Sequence, residues 1–148
     1  MDRRALVATD RSELADAGVE HRLQLAQAIK ATVFFVTVTE SWSSLGLASE
    51  VERANLDAIK SCEEATAQSA QAIFKAAGRN AADRDVAYEL LHIADQSPAE
   101  TILEVAEEQD CDLIIMALHG RRGLGRFLLG SQTGGVLAHT KKPVLVLR

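Results

Sequence analysis

The stretch "SPAETILEVAEEQDCDLIIMAL", residues 97–118, contains the start of a helix, its end and the strand that follows. Ser97 is a residue type that caps helices, Pro98 suits the first helical position because an N–H there has no intrahelical partner, and Glu100 is spaced to close a capping box. The run "DLIIMAL" (112–118) is continuously apolar rather than alternating, as in a parallel strand covered on both faces. One helix-to-strand unit of this kind predicts an α/β fold if the rest of the chain repeats it.

It does. Further apolar runs occur at "RALVAT" (4–9), "TVFFVTV" (32–38), "DVAYELLHI" (85–93) and "PVLVLR" (143–148), and the third alternates in the way that suits a sheet edge. Between them, the spacing predicts a helix over 11–29 with Leu14, Ala17, His21, Leu25 and Ala28 on its buried stripe. It predicts a longer, alanine-rich helix over 49–77 with Val51, Ala58, Cys62, Ala65, Ala72 and Ile73 inward. A last helix runs from Gly130 or Ser131 to Thr140, and Pro143 opens the final strand. Strands alternating with helices require crossover connections, which give a parallel sheet with helices on both faces. The expected architecture is therefore an open five-stranded three-layer α/β sandwich, in one domain over residues 1–148.

Composition narrows the function. With 47% apolar and 25% charged residues, the chain has the profile of one globular domain, and its net charge of −5 argues against a general nucleic-acid binder. No apolar run reaches membrane-spanning length, and the N-terminal apolar stretch is too short for a secretory signal. The two cysteines, Cys62 and Cys111, stand far apart without ligand spacing, so neither a disulfide framework nor a zinc site is expected, and a cytoplasmic location is. His119, Arg121, Arg122 and Arg126 run against the acidic sign of the chain and form a local basic patch. The loop over 39–50 carries the only tryptophan, Trp42, as a lid, a partner-facing loop or an anchor for the long helix.

In open α/β sheets, ligands bind beyond the carboxyl ends of the strands, where the strand order reverses. Two polar elements follow such ends: "TDRSE" with Thr9 and Asp10 after the first strand, and the glycine-rich "HGRRGLGRFLLGSQTGG" (119–135) after the fourth. Asp10 reads either as the N-cap of the first helix or as a ligand-facing carboxylate. Ser131 reads as an N-cap, and a helix N-terminus behind a basic glycine-rich loop is also an anion site. The glycines match neither a Walker A motif nor a Rossmann fingerprint, since no GxxxxGK[ST] occurs and "GRRGLG" follows the wrong strand.

Aligned on "MALHGRRGLGRFLLGS", residues 116–131, the chain resembles the signature of the universal stress protein family: a glycine, two residues, a second glycine, nine residues, then Gly-Ser or Gly-Thr. Gly120 is the second glycine, Gly130 and Ser131 close the pattern, and Ala117 stands in the first glycine's place. "VATDRSE", "SPAETILEVAEEQDCDLIIM" and "KKPVLVLR" extend the likeness over nearly the whole chain. The resemblance implies strand order 3-2-1-4-5 and ATP, with Mg2+ or Mn2+, between the first and fourth strands. It implies Asp10, beside Thr9, near the adenosine, and main-chain groups around Val38 at the adenine. Met116 and Ala117 would line the pocket, with Gly120, Gly130, Ser131 and the N–H groups of Gln132 and Thr133 around the phosphates. At Ala117 a negative φ accommodates alanine, whereas a positive φ would strain it by on the order of 1 kcal/mol.

Gly134 and Gly135 fall early in the last helix, at roughly 1 kcal/mol each relative to alanine, and either admit a neighbouring group or loosen the helix start. His21 and His92 read as packing or edge residues, and His139 lies at a helix end where a cation is favoured. Three functions follow: a nucleotide-binding stress or signalling protein acting through a dimer and protein partners, a nucleotide-independent interaction protein of the same fold, and a weak ATP hydrolase or phosphotransferase relying on Asp10 and His119. No catalytic residue is assigned. The apolar last strand, 143–148, is expected at a sheet edge and pairs with a second copy in a homodimer.

Overall fold

The computed structural model describes residues 3–8, 18–39, 56–94, 97–117 and 131–147. Within them the chain runs β1 (Arg3–Ala8), α1 (Gly18–Ala28), β2 (Ala31–Thr39), α2 (Leu56–Ala82), β3 (Tyr88–Ala94), α3 (Pro98–Glu108), β4 (Leu113–Ala117), α4 (Ser131–His139) and β5 (Val144–Leu147). All strand pairs are parallel and the sheet order is β3-β2-β1-β4-β5, as the family resemblance implied. β3 and β5 are its edges.

Strand periodicity divides the core. Ala5 and Val7 of β1, Val33 and Phe35 of β2 and Ile115 of β4 face α1 and α2, where they meet Leu23, Ala26, Phe74, Ala77 and Ala81. The intervening residues Leu6, Phe34, Val36, Ile114 and Met116 face α3 and α4, where they meet Ile102, Val105, Ala106 and Val136. The two-residue repeat of a strand explains this division, and burial on both faces explains why these runs are apolar throughout.

Several local expectations are corrected. Among the described side chains of α1 and the turn after it, Arg22, Leu23 and Ala26 are buried and Leu25 and Ile29 half-buried, while His21 and Ala28 are exposed. Leu23 and Ile29 carry more apolar area than His21 and Ala28, so burying them is favoured. On α2, Ala65 and Ala72 are exposed; among the described side chains the buried ones are Phe74, Ala77, Gly78 and Ala81, at helical spacing around the one large aromatic, while Val51, Ala58, Cys62 and Ile73 lie outside that description. This helix continues to Ala82, through Gly78, where a Cβ would lie 2.8 Å from the ring of Tyr88. The glycine lets the tyrosine at the start of edge strand β3 lie against the helix.

The capping box at α3 does not form. Ser97 has φ −119° and ψ 80° and makes no side-chain cap bond; its carbonyl instead accepts from both the N–H and the Oγ1 hydroxyl of buried Thr101, each at 3.0 Å. Pro98 does occupy the first helical position. At the other ends, α1, α2 and α3 are followed by Lys30, Asp85 and Asp110, with φ of 54°, 55° and 50°. Behind Asp85 and Asp110 the bonds from Val86 N–H to the Ala81 carbonyl and from Cys111 N–H to the Ala106 carbonyl complete Schellman turns. These turns deliver the chain into the next strand.

Candidate functional site

The sheet order places β1 directly beside β4, with Val7 opposite Ile115. From β1 the chain proceeds through β2 to β3 on one side, and from β4 to β5 on the other. The strand order therefore reverses between β1 and β4, with α1 and α4 on opposite faces of the sheet, which is where an open α/β sheet offers a ligand crevice.

Four of the residues or groups expected at the site are among the described residues. Met116 is buried near the end of β4, and Val38 is half-buried near the end of β2; both belong to the apolar cluster on the α3/α4 face. Ala117 is the last residue of β4, in register with Leu147 of β5. Among the described residues only Lys30, Asp85 and Asp110 are non-glycine residues with positive φ, so Ala117 has ordinary strand backbone and alanine incurs no left-handed strain there. Ser131, Gln132 and Thr133 form the first turn of α4, which holds no acidic residue, and Thr133 is buried while Gln132 is exposed. The first-turn N–H groups of a nine-residue helix have no intrahelical acceptor and carry its positive dipole end, so they suit an anion. Met116, Val38 and Val136 of α4 belong to one apolar cluster on this face of the sheet.

Thr9, Asp10, Gly120 and Gly130 lie outside the described residues, as do Arg11, His119, the basic patch and the Trp42 loop. Among the described residues there is no group of three or more His, Cys, Asp or Glu side chains able to hold a metal ion. Of the histidines read as structural, His92 on edge strand β3 makes an edge-to-face contact with Phe74, ring centres 6.4 Å apart, and His139 closes α4 with Nδ1 2.8 Å from the Gly135 carbonyl oxygen. Cys111 is buried, and burial pushes its thiol up to about 11, so it stays protonated and unreactive at neutral pH. No helix among the described residues is long and apolar enough to cross a membrane.

A second concavity, of about 630 Å³, lies between α3 and the α4–β5 connection, where Glu104, Glu107 and Glu108 face His139, Lys141 and Lys142 over Leu103 and Ala106. Lys142 Nζ reaches Glu107 Oε2 at 3.5 Å. It contains none of the residues expected at the site. Of the two readings of Gly134 and Gly135, close approach of a neighbouring group holds at Gly135, where a Cβ would stand 3.0 Å from the Cβ of Ala99. The adjacent glycines in a helix were its only sequence signal.

The model of the Universal stress protein family matches residues 1–148. The chain belongs to this family. Universal stress protein MJ0531 of Methanocaldococcus jannaschii is 27% identical over 146 residues, covering 99% of this chain and 82% of that one. Universal stress protein MJ0577 of the same organism is 45% identical over 51 residues, 34% of this chain, and this local match spans 32% of that relative's length. The solved structure of MJ0577 superposes with a TM-score of 0.71 at 25% identity, over 99% of this chain and 96% of that one. A universal stress protein in complex with cAMP has the same fold, with a TM-score of 0.64 at 20% identity, over 99% and 98% of the two chains. The universal stress protein from Archaeoglobus fulgidus in complex with dAMP has a TM-score of 0.56 at 18% identity, again over 99% and 98%. In this universal stress protein the crevice between β1 and β4 is thus built on the fold its relatives share.

Proposed function

We propose that this universal stress protein binds an adenine nucleotide, ATP with Mg2+ or Mn2+, beyond the carboxyl ends of β1 and β4, and acts in the cytoplasm through a homodimer and protein partners. The observation that supports this reading is the first turn of α4, the positive end of a helix that follows β4 at the strand-order reversal and shares its core cluster with the apolar Met116. The complexes of two proteins of this fold with cAMP and dAMP, both adenine nucleotides, support it.

In this reading the base lies against Val38 and Met116, Thr9 and Asp10 approach the adenosine, and Ala117 borders the ribose. Gly120, Gly130, Ser131 and the N–H groups of Gln132 and Thr133 receive the phosphates, and the divalent cation rides on those phosphates. Ala117, having ordinary strand backbone, keeps the site usable although the first signature glycine is missing. The dimer forms through β5, an edge strand whose four residues are all only partly buried; pairing it with a second copy satisfies its free backbone edge.

Equilibrium titration with labelled ATP and magnesium tests the nucleotide. Saturable binding is expected, and none at millimolar nucleotide overturns the reading. Light scattering tests the assembly, since a monomer at micromolar concentration is incompatible with pairing through β5.

A further inference from the structure

The paired glycines of α4 are not equivalent. At Gly134 a Cβ would meet nothing within 4 Å, whereas at Gly135 it would stand 3.0 Å from the Cβ of Ala99 on α3, well inside the ~3.5–4.0 Å optimum for two carbons. Ala99 is in the first turn of α3, and Gly135 follows the first turn of α4 by two residues. The contact therefore joins the amino-terminal ends of two neighbouring helices, at the end of the sheet where the crevice opens.

We propose that Gly135 is a positioning residue: by lacking a side chain it lets α4 seat against Ala99, and that seating aims the first-turn N–H groups of α4 into the crevice. This rests on the nucleotide-binding reading above. α4 is nine residues long and packs on the sheet through the single fully buried Val136. The residue next to its buried anchor sets how close this helix comes to α3. A methyl group at Gly135 requires the helices to give by a few tenths of an ångström. Recognition by fixed N–H donors asks for placement within about 0.5 Å, so a shift of that kind uses up much of the tolerance. Gly134, one residue earlier and facing open space, has no such role.

The two glycines thus make opposite predictions. Gly135→Ala is expected to weaken ATP binding about tenfold while leaving adenosine, which has no phosphates to meet α4, within about twofold of wild type. Ala99→Gly in the same chain removes the clashing methyl, and Ala99→Gly/Gly135→Ala is expected to recover ATP affinity. Gly134→Ala is expected to bind ATP like wild type and to melt at a higher temperature, because alanine is the better helix former and meets no obstacle.

Calorimetric titration of full-length wild type and these variants with ATP·Mg2+ and with adenosine, on samples matched by circular dichroism, gives the result. If Gly135→Ala does not fold, the double variant carries the comparison, since it must fold and bind ATP like wild type. Equal weakening by both glycine variants, equal losses for ATP and adenosine, or no rescue by Ala99→Gly overturns the positioning role. A wild-type protein that binds neither ligand overturns the nucleotide reading itself and this role with it.

Discussion

The two faces of the sheet are filled by different means. Toward α1 and α2 the strands supply much of the bulk, and among the described residues three of the five buried helix residues in that cluster, Ala26, Ala77 and Ala81, are alanine. Toward α3 and α4 the helices contribute branched side chains, Ile102, Val105 and Val136, beside the small Ala106 and half-buried Ala99. Small residues bring helix backbones close to the sheet; branched ones hold them off and interdigitate. The face beside the candidate site achieves close approach by another route, between helices, at Ala99 and Gly135.

This contrast can be broken most severely on the α1/α2 face. Phe35 is fully buried in central strand β2, and Phe35→Ala is expected to lower unfolding free energy by about 3–5 kcal/mol in denaturant titration, since neighbouring alanines cannot collapse into the space. The converse insertion, Ala77→Leu, is expected to cost about 1–3 kcal/mol by overpacking the same layer. A loss below about 0.5 kcal/mol for Ala77→Leu would show that α2 is not held close.

On the α3/α4 face, Cys111 supplies a pH test. Its folded-state value, about 11, lies above the ordinary 9.0, so its contribution is fully present below pH 9 and is lost as pH rises toward 11. Across that window the stability advantage of wild type over Cys111→Ala is expected to shrink by on the order of 1–2 kcal/mol in denaturant melts. A constant difference would show that the buried thiol does not resist ionisation.

The smallest effect belongs to the turn after α3. Asp110 has φ 50°, and Asp110→Gly relieves left-handed strain while giving the unfolded chain more freedom, for an expected net gain of about 0.5 kcal/mol. A loss instead would mean that the aspartate side chain stabilises the turn.

Much of this was legible in sequence because one-dimensional signals carried it. Continuous apolar runs located all five strands to within three residues at either end, and the alternating third run does form an edge. Helix faces were less legible where apolar residues are small. In α2 alanines occur nearly all round, so periodicity alone could not choose between Ala72, which is exposed, and Ala77, which is buried; Phe74 decided it through its larger apolar area. The capping box at Ser97 matched its pattern, but Ser97 makes no side-chain cap bond and the helix start rests on its carbonyl, which accepts from Thr101. At the site, Met116, Ala117, Val38 and the turn 131–133 were named from the signature and its surroundings and are now located; Thr9, Asp10, Gly120 and Gly130 are not among the described residues.

By itself, then, the sequence determined the alternation of strands and helices, the parallel sheet and the family, because each rests on local periodicity and spaced motifs along one chain. Tertiary structure alone decided which face each helix buries, that Ala117 sits in unstrained strand backbone, and that a Cβ would crowd Ala99 at Gly135 but meet nothing at Gly134. Those are distances between residues remote in sequence, set by how close-packed layers settle against one another, and no local pattern encodes them.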